Sequence, residues 1–586
     1  MYFTLAISAA TRQACAGLVA AAQGTDPRVL PVPGPAVIAW RAPDERAAVL
    51  CWGGRALAPD RHRAVASHAG TIWADAEAVR ARTGLARVDP VYLAEIPGAV
   101  LVCDRASWAA AVTRRLGDHD PVMVGAFLSM GYPIGAATPF RRVRALGRGR
   151  SLTVTGGRLV LSAAGGQGAG RDEGAEVPAS AAPFDAVAAA LVDAVTPLRD
   201  SGVLVELSLT GGKDSRLIAA ALTAATVPFR ARTHGFASHP DVVVAAMIAE
   251  RLGVEHVVTE PRPPGAGPGR APGAPGGFGA LGVQADVIRR LRSAVLVSDG
   301  MLSAFENVGW PDPQLATEPV QVGGHGGELL RGGYGAAAWR DRRFLRPARA
   351  RSAARAPELF RRLTTRRLGL LRPAAAAEYL ASLAPYAAGL PRGPLRTLDE
   401  FYLVNRAGRW SATARQGYLM RSPLVQPFFS DRVVRAARAV PLRDRLTDRL
   451  HRGVLAALSP ELLELPLAGG GWKSGPKTPS VPAQPGPGGA QGSVAVPDWR
   501  RNFGGEMARF LRDYALDLGG TGGMFDIVRR QAADAVLRSP QADPEAAWAL
   551  ATLAALASGD WLNAREPASP VEDQVTPSDG QAGRVP

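Results

Sequence analysis

Cysteine is scarce in this chain: Cys15, Cys51 and Cys103 are the only 3 among 586 residues. They lie far apart and form no C-x-x-C pair. That argues against a disulfide framework and against a cysteine zinc site, and it fits a reducing compartment. Histidine is sparse too, with 8 residues that show no metal-ligand spacing. Aromatic residues make up 6% and never interleave with a basic run, so the net charge of +16 is not read as a nucleic-acid footprint. The longest apolar stretches, such as 546–557, fall short of the roughly 20 residues that a membrane span needs. The opening MYFTLAISAATRQACAG lacks the basic start and apolar core of a signal peptide. The expectation is a soluble, cytoplasmic protein with no membrane span and no nucleic-acid partner.

Glycine (66) and proline (48) are abundant instead, and their clusters divide the chain. The stretch 165–182 reads as a linker and 566–586 as a disordered tail, leaving units at 1–183 and 184–565. Two more such stretches, 261–282 and 468–497, read as flexible insertions in the second unit. In the first unit, short strands are expected at 37–40, 48–52, 98–103 and 151–154. In the second, strands at 203–209, 229–233 and 254–259 alternate with helices, the second at 240–252, which implies a parallel sheet. From 286 to 463 and from 498 to 562 the chain reads as mainly helical.

The most informative stretch is VLVELSLTGGKDSRLIAAAL, residues 203–222: an apolar strand, a glycine turn and a helix. Gly211 and Gly212 let backbone N–H groups approach phosphate oxygens, and Ser215 lies at a helix N-terminus that favours anions. Asp214 repels a phosphate unless a cation, most plausibly Mg2+, lies between them. This is not a Walker A loop, because Asp214 follows Lys213. A second glycine-rich stretch, GGHGGELLRGGYG at 323–335, surrounds His325 and Glu328, and Glu328 is of a type that joins Asp214 on a metal.

The first turn resembles the S-G-G-x-D-S pyrophosphate loop of the N-type ATP pyrophosphatases, with Thr210 in place of the first Ser. Three further segments resemble asparagine synthetases, in that family's order. The stretch at 323–335 looks like G-E-G-x-D-E-L-F-G-G-Y, with Glu328 at its metal-binding Asp and His325 at its first Glu. His239-Pro240-Asp241 with the helix to Gly253 and His256 resembles S-P-D…L-G-x-x-H. Gln426-Pro427-Phe428-Phe429-Ser430-Asp431 followed by Val440-Pro441 resembles V-P-F-L-D…L-P. The resemblance covers most of residues 186–475. It implies an α/β fold: a glutaminase-like (Ntn-type) α+β sandwich, then an adenine-nucleotide α-hydrolase-like domain with a parallel sheet and many helices. It also implies that Ser208, Thr210, Gly211, Gly212, Lys213, Asp214, Ser215, Thr233 and Gly324 bind ATP and pyrophosphate, that Asp214 and Glu328 hold Mg2+, and that Lys473 is an essential lysine beside the α-phosphate. Lys477 is a rival for that last role, and a surface lysine in a loop is the plain alternative.

In the N-terminal unit, GYPIGAATPF at 131–140 resembles a segment of the glutaminase domain. Such a glutaminase needs a cysteine as its mature terminal residue, and here Met1 is followed by Tyr2. The domain is therefore expected to be a degenerate, non-hydrolysing scaffold. The wording of THGFASHPDVVVAAMIAERLGVEH and SDGMLSAFENVG is similar to lasso-peptide macrolactam synthetases. That likeness implies an enzyme that adenylates an Asp or Glu side chain of a precursor peptide and closes it on the N-terminal amine. A leader peptidase and a leader-binding protein would accompany it. His325 is then the base, or only a hydrogen-bonding partner of the loop or of a phosphate. Two other classes stay open: a small-molecule amide synthetase, such as asparagine or β-lactam synthetase, and a non-catalytic nucleotide-binding scaffold.

Overall fold

A computed structural model describes residues 3–8, 47–52, 71–74, 78–96, 99–103, 105–112, 117–155, 158–163, 183–200, 202–260, 283–306, 319–338, 347–419, 424–475, 481, 500–501, 503–559 and 561. The expected strand at 37–40, the linker, the stretch 261–282, most of 468–497, Tyr2, Cys15, Lys477 and the tail lie outside them.

The N-terminal strands are β1 (Phe3–Ser8), β2 (Ala47–Trp52), β3 (Thr71–Ala74), β4 (Ala78–Arg82), β5 (Tyr92–Ile96), β6 (Ala99–Cys103), β7 (Val143–Ala145), β8 (Arg150–Thr155) and β9 (Arg158–Ala163). They form two antiparallel sheets, ordered β2-β1-β6-β5-β7 and β3-β4-β8-β9. Alternation along each strand sends side chains to opposite faces. Leu93, Val100 and Val102 therefore join Ala81, Leu152 and Val154 of the other sheet in a sandwich core. Tyr92, Ala94 and Cys103 face the other way, onto helices Ala106–Val112 and Pro121–Met130.

That second face does not end at the sandwich. Met123, Phe127 and Phe140 share one continuous core with Leu291, Tyr379, Leu511 and Trp548 of the helices Val283–Ser298, Pro373–Gly389, Gly505–Thr521 and Pro544–Ser558. Each such buried Phe, Leu or Met contributes about 1.5–3 kcal/mol.

The remaining strands are β10 (Val205–Ser208), β11 (Arg230–His234), β12 (His256–Thr259), β13 (Val320–Gly323) and β14 (Leu424–Val425). They pair in parallel in the order β12-β11-β10-β13-β14. The helix Pro240–Leu252 begins and ends where proline and Gly253, at φ 66°, predict. β13 and β14 interrupt a region that reads as helical, so the sheet is wider than three strands. Strand order reverses beside β10, because the chain steps outward through β11 and β12 and then returns to lay β13 on the other side of β10. Ligands bind at such a switch point. The loops after β10 and β13, which carry the two glycine-rich stretches, meet there.

Candidate active site

The turn after β10 is held by its own hydroxyls. Ser215 Oγ accepts from Thr210 N (3.1 Å) and lies 3.1 Å from Thr210 Oγ1, which accepts from Gly212 N (3.2 Å). Gly211 N donates to Asp241 Oδ1 at 3.0 Å, so a carboxylate already lies on a donor of the turn. Gly212 is the N-cap of helix Lys213–Ala224 and supplies no side-chain bond of its own. Ser208 is exposed at the end of β10. Thr233 is buried, with its hydroxyl donating to Leu209 O and lying 2.8 Å from His256 Nε2. It therefore braces the turn from below.

The loop after β13 packs directly on the first turn of that helix. A Cβ at Gly324 would come within 2.6 Å of Ser215 N, and one at Gly327 would overlap the Asp214 carboxylate. Asp214 Oδ1 accepts from His451 Nε2 at 2.9 Å and Oδ2 accepts from Arg331 at 2.5 Å. Burial alone would raise the Asp214 carboxyl. The His451 hydrogen bond and the charges of His451, Arg331 and Lys213 instead hold it below the usual carboxylate range. Arg331 also lies 3.9 Å from Glu328 Oε1, so one guanidinium faces both acidic residues.

The donor set fits a hard divalent cation shared with phosphates, since Mg2+ is held by one or two carboxylates plus substrate oxygens. Glu328 Oε2 is a buried oxygen with no hydrogen-bond partner. Among the described residues no group of 3 or more His, Cys, Asp or Glu is placed to hold a metal, so a cation here would need substrate oxygens to complete its coordination.

On the other side of Asp214 lie two lysines. Lys213 Nζ donates to Asp448 Oδ2 (2.6 Å) and Gly471 O (3.0 Å), and sits 5.1 Å from the centre of the Trp472 ring. Lys473 Nζ donates to Leu446 O (3.2 Å) and lies 3.7 Å from Asp448 Oδ1. Burial lowers the Lys473 pKa; Lys213 and Arg331 push the same way, against Asp448. The start of the expected insertion is thus packed against the site. Ala468 N donates to Gly211 O (3.1 Å), and Arg216, fully buried, donates to the Leu462, Leu465 and Pro466 carbonyls. The missing side chain of Gly211 permits this close approach, since a Cβ there would strike Ala468.

His325 faces a third side. Its ring packs on Trp410 and Phe429, each 5.7 Å away between centres, and its Nε2 lies 2.9 Å from Ser411 Oγ. Burial lowers its pKa and Arg406 adds to this, while Glu328 and Asp214 oppose it. Arg406 stacks 3.5 Å over Trp410 and 5.5 Å from Tyr132, whose hydroxyl lies 2.6 Å from that of Tyr334. Arg406, Trp410 and Ser411 lie on a π-helical segment, Tyr402–Ser411, and Tyr132 comes from the N-terminal unit.

The structure therefore brings Asp214, Glu328, His325, Lys213 and Lys473 around the switch point. Sequence reasoning missed Arg331, Asp448 and His451. Arg331 lay inside a stretch already singled out. Asp448 and His451 lay in the stretch 286–463 that reads only as mainly helical, and nothing in their spacing sets them apart.

A parallel sheet with a glycine turn at a helix N-terminus, facing two carboxylates and two lysines at the switch point, is an arrangement suited to a phosphate-bearing ligand. The sequence model of the family Asparagine synthase matches residues 186–263, from the helix before β10 through β12. This match supports an asparagine synthetase-like, ATP-dependent amide synthetase. No curated protein matches the chain. No helix among the described residues is long and apolar enough to cross a membrane.

Proposed function

We propose that the protein is an ATP-dependent macrolactam synthetase. It adenylates an Asp or Glu side chain of a precursor peptide and closes it on the peptide's N-terminal amine. The observation that carries the reading is the meeting of the β10 turn with the His325–Glu328 loop, Asp214 lying between them.

A carboxylate does not acylate an amine at neutral pH because its leaving group is poor. A carboxylate oxygen attacks the α-phosphorus of ATP, the bond to the β-phosphate oxygen breaks, and an acyl-adenylate and pyrophosphate result. Backbone donors at Gly211 and Gly212 hold the leaving pyrophosphate once Asp241 yields its place. Asp214 and Glu328 would hold Mg2+, which neutralises charge on the phosphates when bound. The amine nitrogen then attacks the acyl carbon, the bond to AMP breaks, and the amine proton passes to His325. Burial lowers the pKa of that imidazole and so favours the neutral form that can accept a proton. Lys473 stabilises the developing oxyanion. A peptide α-amine, with a pKa of about 7.7–8.0, is already partly neutral there. A leader peptidase and a leader-binding protein are the partners such a precursor needs.

The test is ATP–pyrophosphate exchange with candidate precursor peptides, followed by mass analysis for loss of one water. His325→Ala should keep exchange and lose ring closure by roughly 10²-fold or more. Turnover with ammonia or a small amino acid alone would replace the peptide reading with a small-amide one, and no exchange with any carboxylate would leave a nucleotide-binding scaffold.

A further inference from the structure

We infer that Asp448 is a positioning residue for the phosphates of ATP, gathering Lys213 of the glycine turn and Lys473 of the following loop onto one carboxylate. This rests on the ATP-binding reading above.

Asp448 is the N-cap of helix Arg449–Leu458, yet its side chain caps no helix N–H. An N-cap aspartate ordinarily accepts from the first-turn amides. Asp120 and Asp543 do so in this same protein, ahead of helices Pro121–Met130 and Pro544–Ser558. At Asp448 the backbone is left-handed, φ 61°, a conformation uncommon outside glycine. That conformation goes with a carboxylate bound to other partners: Oδ2 accepts from Lys213 Nζ at 2.6 Å and from Lys473 N at 3.2 Å, while Oδ1 lies 3.7 Å from Lys473 Nζ. The residue is 0% exposed, and Oδ1 has no hydrogen bond. A forgone cap, a left-handed backbone and a buried carboxylate are each unfavourable alone. Such features persist where the surroundings enforce them, often at functional sites.

The result is a pair of ammonium groups held near each other despite their repulsion. One comes from the turn that would hold pyrophosphate and one from the loop beyond. One helical turn on, His451 reaches Asp214. A single helix start thus aligns the cations and the carboxylate of the site. A polyphosphate is the ligand whose charge matches two lysines sharing one aspartate, and adenosine gains nothing from them.

The experiment measures equilibrium binding of Mg2+-ATP and of adenosine to the full chain, for wild type, Asp448→Asn, Lys213→Met and the double variant. Asparagine tolerates the left-handed backbone, so the fold is preserved. Asp448→Asn should weaken Mg2+-ATP about tenfold or more and leave adenosine unchanged. The double variant should lose clearly less than the two single losses combined, because Asp448 acts through Lys213. Equal loss of both ligands would mark Asp448 as merely structural, and unchanged ATP affinity or additive losses would overturn the inference while leaving the ATP-binding reading intact. A wild type that binds adenosine no less tightly than Mg2+-ATP would overturn both. Should Asp448→Asn fail to fold, Lys213→Met decides the matter: undiminished ATP affinity there refutes the clamp.

Discussion

Asp299 and Arg105 form a fully buried ion pair between the two units, with side chains 0% and 2% exposed. Arg105 donates to the Leu296 and Val297 carbonyls in the last turn of helix Val283–Ser298. Asp299 accepts from Ala106 N and Ser107 Oγ, both at 2.7 Å, at the start of helix Ala106–Val112. Each residue therefore satisfies the helix end of the other unit. Asp299→Ala leaves a guanidinium buried without its counter-charge and puts alanine at φ 54°, so the local loss should be about 4–5 kcal/mol. Asp299→Asn keeps one acceptor and tolerates the backbone, and should cost about 2–3 kcal/mol. A chain of this size does not unfold in one step, so the assay is amide hydrogen exchange at Ala106–Val112 and around Leu296. The asparagine variant should exchange there roughly 30- to 150-fold faster, with the alanine variant faster still. Protection unchanged within threefold in both variants would refute the account of the pair as a staple.

Two further outcomes follow from the site and its sheet. Asp214→Asn should reduce ATP–pyrophosphate exchange at least 10²-fold while hydrogen exchange in the parallel sheet stays at the wild-type level; ADP and phosphate as the wild-type products would contradict the assignment of the turn to pyrophosphate. Glu206 accepts from Arg230 (2.7 Å), Arg232 (2.6 and 2.8 Å) and Gln321 (3.0 Å) across three neighbouring strands. Burial alone would raise its pKa, but bonds from Arg232, Gln321 and Arg230 hold it down to about 2. A carboxyl depressed on folding contributes stability above its unfolded value of about 4.3 and loses it as pH falls toward 2. Acid titration of wild type against Glu206→Gln should show a difference that shrinks through that window; a constant difference would contradict the network.

The features legible in the sequence were those with local signals. Proline and glycine bounded the helix Pro240–Leu252, and the glycine turn between strand and helix placed the candidate site. β13 and β14, of 4 and 2 residues, are too short to show a period and exist through pairing with distant strands. Arg230 and Arg232 alternate with buried residues, unlike the apolar runs of most parallel sheets, because Glu206 satisfies them. Arg331, Asp448 and His451 reach Asp214 or Lys213 only through tertiary structure. At 468–475 the run of glycines suggested a loose insertion, yet Ala468 packs on Gly211 and Trp472 is buried there.

The core shared by the helices Pro121–Met130 and Pro544–Ser558 sets an order in time. Phe127 and Met123 belong to one buried core with Trp548, more than 400 positions later in the chain of 586. At roughly 5–20 residues per second, a ribosome takes on the order of 20–90 s to cover that distance. The nascent N-terminal unit must wait through that interval with an apolar face uncovered. A chaperone that binds apolar surface, or slow translation late in the message, would therefore affect the yield of the first unit as much as that of the last.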